Sequence, residues 1–261
     1  MEPSLLRDLL TAVAGLVTGA LSAAFGIGGT VISTPALRAL GVSAITAIGT
    51  TLPSVIPSAI AGTLRYAKQG LVDWRAVRIV IPAGVVTSVL GSAASHRIPG
   101  DGHLLMLATA ALLAVTAVRT ARAYDHADAA SSAPQSSSIL LVAIGAVAGG
   151  LSGLLGVGGG IVMVPGFTDL ARLRLKPAIA TSLVCVGCFA IPGTITHALL
   201  GGVDWRYAGL LTLGVVPGAR LGAALSLRAS DRPLRRLVGG FLGVVAVVYF
   251  VGELVALTAQ D

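Results

Sequence analysis

Two glycine clusters set inside apolar sequence are the first residues that could do chemistry. "FGIGG" places Gly26, Gly28 and Gly29 within four positions, and "LGVGGG" places Gly156, Gly158, Gly159 and Gly160 within five. Each glycine should weaken a helix by roughly 1 kcal/mol relative to alanine, so these stretches read as breaks. A break leaves N–H groups at the start of the following half-helix without an intrahelical acceptor, with the positive end of a dipole behind them. That arrangement holds an anion without a charged side chain, and glycine lets the ligand approach the backbone closely. The other use of such glycines is close packing of membrane helices. Pro35 and Pro165 follow the two clusters at the same distance, which favours a paired site.

Further candidates lie in the same apolar runs. Thr50 and Thr51 in "GTTL" and Thr181 and Ser182 in "ATSL" stand at equivalent distances behind the two clusters. Their hydroxyls can donate to an oxyanion or bond back to their own helix carbonyls. Arg220, in "VVPGARLGAALSL", is the one Lys or Arg well inside an apolar run. A midplane arginine costs at least about 2.5 to 3.5 kcal/mol to insert, so it should face a cavity or a partner, or snorkel to an interface. Its planar fork would suit the oxygens of a compact oxyanion, which makes it a substrate-binding candidate. His197 and Glu253 are proton-coupling candidates, since histidine titrates close to cellular pH and Glu253 is the one carboxylate in the last run. Both are also close enough to run ends to be interfacial. Cys185 and Cys188 form a CxxC in an apolar run, readable as two small membrane residues or as a thiol relay.

These residues need elements to hold them, and composition says which. The 261 residues are 55% hydrophobic and only 11% charged, with mean hydropathy +0.90. Soluble proteins carry about 25% charged residues, so this is an integral membrane protein. Apolar runs of about 20 residues recur along the chain, and backbone groups in lipid must be satisfied internally, so the fold class is all-α. The net charge of +7 is carried by short loops between runs, with no basic domain or interleaved aromatics, which excludes nucleic acid as a partner. The partners expected are a small anionic substrate and the lipid bilayer. No nucleotide-binding loop or metal-ligand constellation occurs, so no cofactor, metal or enzymatic activity is expected.

The chain is a duplication. "FGIGGTVISTP" from Phe25 returns as "LGVGGGIVMVP" from Leu155, "VDWR" from Val72 returns from Val203, and "VLGSAAS" from Val89 aligns with "RLGAALS" from Arg220. Three matches in one order at nearly one spacing give two homologous halves, 1–123 and 139–261, joined by a Ser/Ala-rich linker over 124–138. The first apolar segment resembles a signal peptide, but its internal copy near Ile139 to Leu155 indicates that it belongs to the mature fold. Each half reads as one glycine-interrupted segment followed by three plain ones. Asp73 with Trp74, and Asp204 with Trp205, should cap helices at the membrane interface.

Charge chooses the topology. If each interrupted segment crossed once, the Lys and Arg outside the spans would divide eight against nine. If each instead turns back at its glycines, the halves are inverted and the division is thirteen against four. The second pattern is what the positive-inside rule expects, with both termini outside.

At these residues the chain resembles the sulfite exporter TauE/SafE family, also called the four-toluene-sulfonate uptake permease family. The resemblance covers nearly the whole chain and rests on "GIGG" and "GVGGG" with their prolines, on "GTTLPSV" and "ATSLVCV", and on the paired "DWR" loops. The first cluster departs from the fuller pattern by having Thr30 where a third glycine would stand. The resemblance implies export, or sometimes uptake, of small sulfur-containing or organic anions such as sulfite, sulfonates and sulfoacetate, driven by a proton or ion gradient. A thiol or sulfur relay through Cys185 and Cys188, and a passive anion channel, are the competing functions.

Overall fold

The computed structural model describes residues 5–95, 103–122, 137–156 and 158–258. Most of the linker, and the side chain of Glu253, lie outside the described residues. The described chain is helical, with no strand. The helices are α1 (Leu5–Phe25), α2 (Thr30–Ala39), α3 (Ala44–Lys68), α4 (Trp74–Ser95), α5 (His103–Arg122), α6 (Ser138–Leu155), α7 (Gly160–Pro165), α8 (Leu175–Leu199), α9 (Trp205–Arg228) and α10 (Asp231–Thr258). A single π-helical stretch, Gly166–Leu170, continues α7.

Local chemistry sets the boundaries. Asp73 Oδ1 accepts from the amides of Arg75 and Ala76, both at 3.0 Å, and Asp204 Oδ1 accepts from Arg206 and Tyr207 at 3.0 and 3.3 Å. These side chains satisfy amides that the first turns of α4 and α9 cannot pair. Trp74 and Trp205 begin the two helices and stay more than half exposed, as interfacial tryptophans do.

Small residues decide which helices touch. A Cβ on Gly15 or Gly19 would run into the backbone of Leu211 or Val215, and one on Gly218 or Gly222 into that of Leu16 or Ala20. The register advances in the same sense along both helices, so α1 and α9 lie parallel at backbone contact. Gly145, Gly149 and Gly153 meet Val80, Gly84 and Ser88 in the same way, so α6 lies parallel to α4. Between these pairs, α3 and α8 cross antiparallel: Gly193 faces Leu52, Gly187 faces Ala59, and Gly62 faces Leu183. Helices α5 and α10 pack on each other. Exchanging the halves exchanges α1·α9 with α6·α4 and returns α3·α8 and α5·α10 to themselves. This is the pairing that two related halves give.

The sense of the relation follows from helix ends. The amide of Asp73, at the start of α4, donates to Thr181 Oγ1 near the start of α8 at 3.0 Å. The amide of Asp204, at the start of α9, donates to Thr50 Oγ1 near the start of α3 at 2.8 Å. Since α3 and α8 are antiparallel, α4 and α9 begin at opposite ends of the molecule, which agrees with inverted halves.

Among the described residues, six helices are long and apolar enough to cross a membrane: α1, α3, α4, α6, α8 and α9. The sequence expectation draws its six crossings from α3 to α5 and α8 to α10; α3, α4, α8 and α9 are among these six, and α5 and α10 carry apolar stretches over Leu104–Thr120 and Arg236–Gly252 among the described residues. Gly29 sits against Thr18 and Ser22, so α2 doubles back on α1, and the long arm of this hairpin is itself of spanning length.

Candidate functional site

The two glycine breaks touch each other. A Cβ on Gly158 would lie 3.4 Å from the Gly28 Cα and 3.6 Å from Thr30 Oγ1, and one on Gly160 would run into the carbonyl oxygen of Gly26. Positive φ values put Gly26 (69°) and Gly28 (78°) in the first break, and Gly156 (65°), Gly158 (78°) and Gly159 (69°) in the second, in the left-handed region where a Cβ is strained. Gly29, with φ −69°, and Gly159 immediately precede α2 and α7.

Two half-helices therefore start at one place. The amides of Ile32 and Val162 already return to the carbonyls of Gly29 and Gly159, both at 3.2 Å. The amides ahead of them, through Val31 and Ile161, are the ones such a helix start leaves for an outside acceptor. Two positive dipole ends facing each other repel, and an anion between them would remove the repulsion.

The sequence candidates separate once placed. Ser182 borders the first break, and Thr51 faces α2. Ser182 Oγ donates to the Gly26 carbonyl oxygen, tying α8 to the first break. Thr51 Oγ1 donates to the Ile48 carbonyl at 3.0 Å and lies 3.4 Å from Thr34 Oγ1 of α2. Thr50 and Thr181 each accept an amide from the opposite half, as described above, so their hydroxyls staple the halves together. His197 is 1% exposed, stands in the last turn of α8 and packs against Gly49 near the start of α3, so it is buried among helices close to the end of a span. Its counterpart Tyr66 is equally buried and donates from its hydroxyl to the Ala23 carbonyl at 2.9 Å. Cys185 is buried, Cys188 is half-buried, and both are free thiols.

Arg220 is not brought to the breaks. The packed face of α9 is Gly214, Val215, Gly218, Ala219 and Gly222, and Arg220 lies on the exposed face with Leu213, Leu221 and Leu225.

Thr30 is the residue that sequence reasoning passed over. It is fully buried, it is the first residue of α2, and its Oγ1 has no hydrogen-bond partner among the described residues. The signal was present as a departure: the first half has a threonine where the second has Gly160. The hydroxyl fits because it points into the space that Gly158 leaves by lacking a side chain.

Broken helices whose N-termini converge inside a bundle of membrane-length helices define a multi-pass membrane transporter. The chain belongs to the sulfite exporter TauE/SafE family, which it matches over residues 11–249. It is 32% identical to the "Probable membrane transporter protein" of Xylella fastidiosa (strain 9a5c), over 93% of this chain and 94% of the relative. It is 27% identical to the "Probable membrane transporter protein YunE" of Bacillus subtilis (strain 168), over 87% of this chain and 91% of that one. A third relative, the "Probable membrane transporter protein" of Haemophilus influenzae, is 26% identical over 93% and 97%. No solved structure matches the chain.

Proposed function

We propose that this transporter moves a small sulfur-containing or organic anion, such as sulfite or a sulfonate like sulfoacetate, by ion- or proton-coupled alternating access, and that export is its working direction. The anion binds where the breaks meet, between the starts of α2 and α7. The observation that carries this reading is the meeting of two half-helix N-termini at a buried hydroxyl, that of Thr30, which has no partner among the described residues. Gly28, Gly29, Gly158, Gly159 and Gly160 supply backbone N–H groups, and Thr30 supplies a neutral donor. Ser182 holds the wall of the site through its bond to Gly26, and Thr51 stands beside it against Thr34 of α2. A site made of amides and a hydroxyl binds any compact oxyanion, and the family's printed name supports the sulfur class.

Flux from proteoliposomes tests this, comparing sulfite, sulfoacetate, sulfate and acetate with and without an imposed pH gradient. The expected result is saturable movement of one sulfur anion that responds to the gradient. Flux that ignores the gradient makes the protein a channel, and no flux from folded protein removes the sulfur assignment. The Cys185→Ser, Cys188→Ser double variant is expected to keep full flux, and loss of flux there would make the thiols part of the reaction.

A further inference from the structure

We infer that an anionic phospholipid binds the outer face of α9, with its phosphate held between Arg220 and Arg228. Arg220 is exposed on a helix of spanning length and has no ion pair or hydrogen bond among the described residues. It lies fifteen residues after Trp205 and eight before Arg228, so by helix rise it is about 22 Å from one end of α9 and about 12 Å from the other. A guanidinium at that depth is costly in hydrocarbon, and it reaches the headgroup level on the Arg228 side only, where an anion can pair with it.

The surface around it is shaped for such a ligand. Residues 220, 224 and 228 form one i+4 ridge, and the middle one is Ala224, which leaves a notch between two arginines. Leu213, Leu221 and Leu225 are exposed along the same side and offer apolar surface to acyl chains. Lys176, whose Nζ donates to the Leu227 carbonyl at 3.1 Å, adds positive charge where α9 ends. A phosphodiester monoanion is the acceptor that arginine forks bind bidentately.

A second copy of the chain is the other occupant such a face suggests, and the carboxylates argue against it. Asp8 pairs with Arg206 at the opposite end of α9, Asp169 pairs with Arg119 near the end of α5, and Asp73, Asp204 and Asp231 stand at helix starts. None of these described carboxylates lies at the depth of Arg220, so a copy standing upright in the same membrane has no counter-ion to offer it from among them.

The test is native mass spectrometry of the full chain extracted from mixed vesicles of phosphatidylcholine and phosphatidylglycerol. Wild type is expected to retain one phosphatidylglycerol in preference to phosphatidylcholine. Arg220→Leu and Arg228→Leu should each weaken retention about tenfold, the loss of one charge-assisted contact, while Arg220→Lys keeps part of it. Equal retention of the two lipids by wild type, or unchanged retention in both leucine variants, overturns the inference. So does a wild-type dimer that Arg220→Leu dissociates, which would make a second copy the occupant. If Arg220→Leu does not fold, Arg228→Leu at the headgroup level carries the test. Sulfite flux in pure phosphatidylcholine vesicles keeps this result distinct from the transport reading.

Discussion

At the scale of residues, Thr30 and Thr181 make opposite commitments with the same hydroxyl. Thr181 spends its oxygen on the Asp73 amide, whereas Thr30 holds a fully buried oxygen without a partner among the described residues. Removing an orphan hydroxyl in favour of an isosteric methyl is close to neutral or stabilising, while leaving a buried amide unpaired costs about 1 to 3 kcal/mol. Thr30→Val is therefore expected to leave apparent thermal stability unchanged or slightly raised and to raise the KM for the transported anion about tenfold, the value of one lost bond to a charged ligand. Thr181→Val is expected to do the reverse, with lower stability and an unchanged KM. Calorimetry or fluorescence melting in detergent together with flux against substrate concentration checks both. A Thr30→Val variant with wild-type KM would take the anion away from the meeting of the breaks.

At the scale of elements, glycine at the parallel helix contacts and glycine in open space should respond differently to an added side chain. At Gly222 a Cβ would meet the Ala20 backbone, which has no side chain to swing aside, and at Gly209 it would meet nothing. Gly222→Leu is expected to cost about 3 kcal/mol, the upper end of overpacking, and Gly209→Ala to stabilise by up to about 1 kcal/mol through helix propensity. A Gly222→Leu protein that melts like wild type would mean that α1 and α9 are not packed at backbone contact. The breaks and the caps of α4 and α9 were legible in the sequence because glycine clusters and Asp-Trp pairs act locally. The facing of Arg220 was not legible. In a soluble helix the polar face announces itself, but on α9 the lipid side (Leu213, Leu221, Leu225) and the packed side (Gly214, Val215, Ala219) are both apolar, so periodicity carries little information about direction. Thr30 escaped for a related reason: a threonine inside an apolar run reads as ordinary until a second break is seen to press against it.

At the scale of the whole molecule, the inversion makes one strict demand. Gln69 and Leu200 end α3 and α8 at equivalent places in the two halves, and both are exposed. In a parallel repeat they would emerge on the same side of the membrane. In an inverted repeat they emerge on opposite sides, as the antiparallel crossing of α3 and α8 requires. Charge supplies the orientation, since Arg65, Lys68, Arg75 and Arg78 surround Gln69, whereas Arg206 is the only cation between Leu200 and Arg220. In a background lacking both native cysteines, Leu200→Cys is expected to react with an impermeant maleimide in intact cells, and Gln69→Cys only after permeabilisation. The same arrangement puts the C-terminus outside, where a fused reporter should be active. Labelling of both cysteines from the same side would undo the inversion, and with it the reason for two helix N-termini to arrive at one point from opposite directions. The anion site and the topology therefore stand or fall on the same geometry, which makes the paired labelling more informative than either position alone.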